Sequence, residues 1–207
     1  AEAANNFDIY YNTINLNTNF TAFGAGSSGI FLTGNTIGPV SLRNNIIVNT
    51  STIASGPGLT VALRRSSTEL TNYATSSNNN IFYAGTPSAS NLLFKARVGP
   101  TRDANSFTGL PAFLSTIGSS GNFLHLDPAI ASLAESRAVN IATYTTDVDA
   151  SIRQGNAGYV GTGTAPDIGA DEIAGIFHET TPPVISYTEI ASPVCIATPK
   201  TITGVTI

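Results

Sequence analysis

The chain has 207 residues, of which 42% are hydrophobic but only 11% charged, with a net charge of −4; its solubility rests on Asn, Thr, Ser and Gly rather than on Lys and Glu. Its nine Lys and Arg residues are scattered, so there is no basic stripe of the kind that binds nucleic acid, and no apolar run approaches the ~18–20 residues that cross a bilayer as a helix. A single cysteine, Cys195, excludes an internal disulfide and a cysteine-based metal site.

Over residues 7–94 the apolar runs are short, rich in Ile, Leu, Val, Phe and Tyr, and bounded by Asn, Gly, Ser or Thr. These are strand signals, and no apolar spacing of three and four persists long enough for a helix. Laid over one another, the runs repeat: Tyr11-Asn12-Thr13-Ile14, Asn44-Asn45-Ile46-Ile47 and Asn79-Asn80-Ile81-Phe82, each followed by a second run at Gly29-Ile30-Phe31-Leu32, Leu59-Thr60-Val61-Ala62-Leu63 and Asn91-Leu92-Leu93-Phe94. Asn12, Asn45 and Asn80 fall 33 and 35 positions apart. A period of this size marks a solenoid, whose units bury their apolar faces only by stacking. Asn suits its corners because it tolerates left-handed backbone, and amides stacked once per coil can bond to one another as a ladder. The plain alternative is that Asn marks the turns of any all-β protein.

Beyond Lys95 a loop precedes a short strand that begins at Pro111, and Asn122-Phe123-Leu124-His125-Leu126 alternates as a strand does. Residues 128–140 are predicted as one short helix, with Asp127 as N-cap and Pro128 in its first position. The opening Ala and the lack of Met lead to the expectation of an interior piece of a longer polypeptide.

Five motifs then follow in order: Asp103-Ala104-Asn105-Ser106, Pro111-Ala112-Phe113, Asn122-Phe123-Leu124-His125-Leu126, Asp147-Val148-Asp149 with Arg153, and Asp167-Ile168-Gly169-Ala170-Asp171-Glu172. Together they resemble the final coils of secreted right-handed parallel β-helix proteins of the pectate-lyase-like superfamily, over roughly residues 1–175. The chain departs from that pattern where Ala150 and Ile152 replace the usual Gly and Pro, and where Ser136-Arg137-Ala138 replaces a proline-containing turn. Past Thr180-Thr181-Pro182-Pro183, the runs at Val184-Ile185-Ser186-Tyr187 and Thr201-Ile202-Thr203-Gly204-Val205 resemble the first strands of an immunoglobulin-like module of giant bacterial surface proteins, including type IX secretion substrates. The expected organisation is therefore an all-β chain: a parallel β-helix over 1–175, a linker over 176–183 and an incomplete Ig-like β-sandwich over 184–207.

Candidate chemistry is sparse. The charges of the repeat region are Asp8, Glu69, Arg43, Arg64 and Arg65, too dispersed for metal-assisted elimination; Arg64-Arg65 beside Glu69 reads as a solvated loop pair. Asp147, Asp149 and Ser151 alternate like the first ligands of a calcium loop, but Ile152 and Gly158 stand where an EF-hand needs Gly and Glu. That leaves a non-EF Ca²⁺ site completed by Asp167 or Asp171 as one reading. The other has these carboxylates, with Asp167 and Glu172, bonding to backbone N–H groups or Arg153 and fixing the final turn. His125 reads as a packed or surface imidazole and His178 as facing water, and Tyr10, Tyr11, Phe82 and Tyr83 form a possible sugar-stacking stripe.

The resemblance implies an extracellular, cell-surface stalk or adhesin with no catalytic residue in this segment. Its partners would be a glycan or another cell surface, with the secretion machinery met during export. The alternative is a fragment of a polysaccharide lyase or glycosidase whose active site lies upstream.

Overall fold

A computed structural model describes residues 6–33, 38–66, 73–95, 101–103 and 109–179. The expected Ig-like strands at 184–207, with Cys195, lie outside the described residues, as do Glu69 and Ala104-Asn105-Ser106 of the Asp103-to-Ser106 motif. The apolar runs become β1 (Phe7–Tyr10), β2 (Thr13–Leu16), β3 (Ser27–Leu32), β4 (Val40–Arg43), β5 (Ile46–Asn49), β6 (Thr60–Arg65), β7 (Ile81–Tyr83), β8 (Asn91–Lys95) and β9 (Thr101–Asp103).

Strands one period apart lie side by side. β4 pairs with β1, β5 sits between β2 and β7, and β6 sits between β3 and β8, all in parallel. Thr13 faces Ile46, which faces Ile81, so the sequence period is the register of the sheets. Tyr73 and Asn78 extend the first stack by parallel bridges to Val40 and Arg43. Among the named strands of the described residues, β9, outside the repeat, is the one that runs antiparallel, along β8. The structure among the described residues is all-β with parallel sheets and contains no helix.

Two apolar cores follow from the alternation of side chains across the β2–β5–β7 sheet. Ile47 points with Ile30, Val40, Leu42 and Leu63 into the space between the three sheets, joined by Ile14 and Phe82. Ile46, Val48 and Ile81 point the other way, against Leu126, Ala134, Ala138 and Ile168 of the later chain. β5 is consequently buried at every position, which explains its unbroken apolar Ile-Ile-Val run. Gly29 shows how tightly the first core is filled: a Cβ there would run into Ile47 Cγ2 and the Ala62 carbonyl oxygen. Gly29→Ala is expected to destabilise the chain by about 1–3 kcal/mol through overpacking, measurable as a lower midpoint in urea at unchanged slope.

The corner between the first and second stacks divides between neighbouring residues the two properties assigned to Asn12, Asn45 and Asn80. Left-handed backbone falls one position earlier, at Tyr11, Asn44 and Asn79 (φ 52°, 58° and 52°). The ladder is made by the next residues: Asn45 Oδ1 accepts from the backbone N and Nδ2 of Asn12, both at 3.0 Å, and Asn80 Oδ1 accepts the same pair from Asn45 at 3.0 and 2.8 Å.

The expected helix over 128–140 does not form. Asp127 Oδ1 accepts from Ala129 N as a cap would, and Ile130 N turns back to Asp127 O, but later N–H groups go elsewhere: Ser132 to Ile176 O, Leu133 to Gly109 O and Ala138 to Pro166 O. Left-handed Ser136 (φ 55°) stops any helix. The predicted strands after Pro111 and at 122–126 reduce to isolated bridges, Phe113 with Leu126 and Ser115 with Phe123, because left-handed Leu124 (φ 58°) breaks the run. Residues 109–179 instead form an irregular layer along the outer face of the β2–β5–β7 sheet.

Candidate functional site

The chemistry-bearing residues gather in this outer layer. Its attachment reads down the corner: the Tyr11 hydroxyl donates to Val139 O, the Asn44 side chain bonds both Val139 O and Val139 N, and Asn79 Nδ2 donates to Arg137 O. Asp167-to-Glu172 lies across β2 and the second corner, where Gly169 N donates to Asn44 O and Ala170 N to Thr13 Oγ1. The Asp167-to-Glu172 segment therefore runs along the flank of the β2–β5–β7 sheet.

Asp167 and Glu172 enter one buried network with Arg153, which is 2% exposed. Arg153 ion-pairs with Glu172 at 3.2 Å, donates to Gly169 O and Ala170 O, and lies 4.1 Å over the Tyr11 ring. Glu172 Oε2 also accepts from Asp167 N, and Oε1 from Gln154 N. Asp167 Oδ1 accepts from Ser136 N and Oδ2 from Ile173 N. The chain links on to Glu135, whose Oε1 accepts from the Ser136 hydroxyl and Oε2 from Gly175 N. These carboxylates hold the turns of the layer through backbone N–H groups, as a stretch without regular ladders requires.

Asp147 and Asp149 meet Asp171, not Asp167, and touch that network only through the Glu172 backbone N–H, which donates to Asp147. One oxygen from each of the three falls within 4.8 Å of the others, a set that could hold a hard cation, although Ca²⁺ takes six to eight oxygens. Protein donors already share them. Asp147 accepts from Asp149 N, Ser151 N and Glu172 N, Asp171 from Leu126 N, and Asp149 Oδ2 lies 3.1 Å from His125 Nε2. His125 was not expected here; a lone His in a short strand carries no sign of a partner 24 positions away. Ala150, within this loop, has left-handed backbone of the kind that favours glycine (φ 67°).

Burial pushes the Asp167 carboxyl up to about 8, against the pull of its two N–H donors, with the neighbouring Glu172 and Glu135 charges adding to the rise. Asp171 and Glu172 are shifted upward too, again by burial first. The folded chain thus holds a proton that the unfolded chain releases near pH 4. That stability is fully present below the unfolded value and is lost as pH climbs through 8. The melting temperature should fall by several degrees between pH 5 and pH 8.5 in a calorimetric series, and Asp167→Asn should remove much of that slope.

Other expected sites are dispersed. Tyr11 is 7% exposed, Phe82 packs into the inner core, and Tyr10 and Tyr83 pack against the outer one; alternation around the strands divides the proposed aromatic stripe. Arg64 and Arg65 end β6 rather than forming a solvated pair. Arg64 lies over the Phe31 ring, and Arg65, 1% exposed, over the Tyr73 ring. His178 is half-buried against Gly109 instead of facing water. Among the described residues no helix is long and apolar enough to cross a membrane. Comparison with protein-family models, curated proteins and solved structures gives no match.

Proposed function

We propose that residues 1–175 are closing coils of a right-handed parallel β-helix in a large exported bacterial surface protein. In this reading the segment is a stalk or adhesin that touches glycans and does no catalysis itself. The observation that carries the reading is the in-register parallel stacking of β1–β8 with the amide ladder Asn12–Asn45–Asn80. Parallel strands joined by crossovers are right-handed in nearly every known sheet, and a stack in which each unit leans on the next makes a stiff rod. The charge-poor, hydroxyl- and amide-rich composition supports contact with neutral polar ligands rather than with nucleic acid. Ig-like strands over 184–207 and passage through a type IX system complete the proposal.

The test has two arms. The labelled chain is applied to a glycan array, where binding to a defined set of sugars is expected. The parent protein is located by surface labelling of intact cells, and a parent confined to the cytoplasm would overturn the reading.

A further inference from the structure

Between the later turns of the outer layer lies a cavity of about 260 Å³, lined by Glu135, Ser136, Thr162, Thr164, Gly175 and Phe177. We propose that this cavity binds one neutral monosaccharide unit of a glycan, the Glu135 carboxylate accepting from sugar hydroxyls and Phe177 facing the C–H surface of the ring. The assignment rests on the glycan-contact reading above and locates it.

Glu135 is 3% exposed, and among the described residues it has no ion-pair partner. Its oxygens accept one hydrogen bond each, from the Ser136 hydroxyl and Gly175 N, whereas a carboxylate offers about four acceptor positions. Acceptor capacity is therefore left at the cavity wall, the kind of site that a pair of hydroxyl donors fills. The Ser136 hydroxyl has its single donor committed to Glu135 and accepts from Thr164 N, so it can meet a ligand only as an acceptor. The Thr162 and Thr164 side chains are exposed at the rim and supply hydroxyls that both donate and accept.

Phe177 gives the apolar wall. It is 42% exposed, it is fixed in place by the bridge to Ser132, and the Arg137 guanidinium lies 4.4 Å from its ring centre. An apolar wall with a few converging polar groups is the usual make-up of a small-molecule site, and an aromatic ring beside hydroxyl-binding groups suits a sugar, which has an apolar face and a polar edge. The Glu135 carboxylate in the cavity lining disfavours sugars that carry carboxylate or sulfate. A single carboxylate in the lining also gives a metal ion too few ligands.

The test is calorimetric titration of the full chain with methyl glucoside, methyl galactoside, methyl mannoside, glucuronic acid and lysine methyl amide, beside the glycan array. Millimolar binding of at least one neutral glycoside is expected, without binding of the uronic acid. Phe177→Ala and Glu135→Gln should each weaken it about tenfold or more. Phe177 is exposed enough to leave the melting temperature nearly unchanged, so its variant reads the site even where Glu135→Gln fails to fold. Neutral sugar binding that Phe177→Ala leaves intact would overturn the cavity as the site while the glycan reading stands. Binding of only the uronic acid or only the lysine derivative would overturn the assignment, and an array and titration both blank would overturn it together with the glycan reading.

Discussion

Asn45→Ala is expected to destabilise the chain by about 3–5 kcal/mol, far more than the same change at Asn12. Asn45 is fully buried and accepts from Asn12 N and Nδ2 while donating to Ile9 O and Asn80 Oδ1. Removing its amide leaves buried groups without partners, each worth about 1–3 kcal/mol, and opens a small void. Asn12 is exposed and its amide donates only to Tyr10 O and Asn45 Oδ1, so Asn12→Ala should cost about 1 kcal/mol. Urea unfolding of both variants measures the difference, and equal losses would mean that the amide ladder is not what sets the register.

Arg153→Met should destabilise by a similar amount, about 3–5 kcal/mol, because it strands a buried carboxylate. Glu172 is 9% exposed, and Arg153 is its only ion-pair partner among the described residues. Adding Glu172→Gln should recover part of the loss, since the uncompensated charge goes, but not all of it. Gly169 O and Ala170 O would still lack the donors that Arg153 supplies. The two single variants and the double variant form a thermodynamic cycle; a double variant no better than Arg153→Met would show that the carbonyl contacts, rather than the ion pair, hold the layer.

Much of the strand arrangement was legible because a period in the chain becomes a register in space. Asn12, Asn45 and Asn80 could be aligned by eye, and their spacing is the pairing of β2, β5 and β7. The division of labour at the corner was not, since Asn44-Asn45 and Asn79-Asn80 are doublets whose members look interchangeable, while Tyr11 hides the left-handed position in the first unit. The outer layer was harder to read. Its backbone groups are satisfied by residues distant in the chain, so the cap at Asp127 formed while the helix it promised did not. Which carboxylates meet is likewise a matter of folding: Asp171 and Glu172 are adjacent yet serve different clusters, as alternate side chains of an extended stretch do. Glu135, a lone acid between Ala134 and Ser136, belongs to no motif. Its rarity in a chain with so few charges was the available sign.

The outer layer also changes how such an assembly comes apart. In a simple stack each unit touches only its neighbours, and unravelling can start at one end and travel. Here Val139 grips Tyr11 and Asn44, Arg137 grips Asn79, and Ala170 grips Thr13, so one strap of chain is fastened to successive turns. Under tension the turns it spans should let go together, in a single rupture rather than a staircase of small ones, as long as the strap stays fastened.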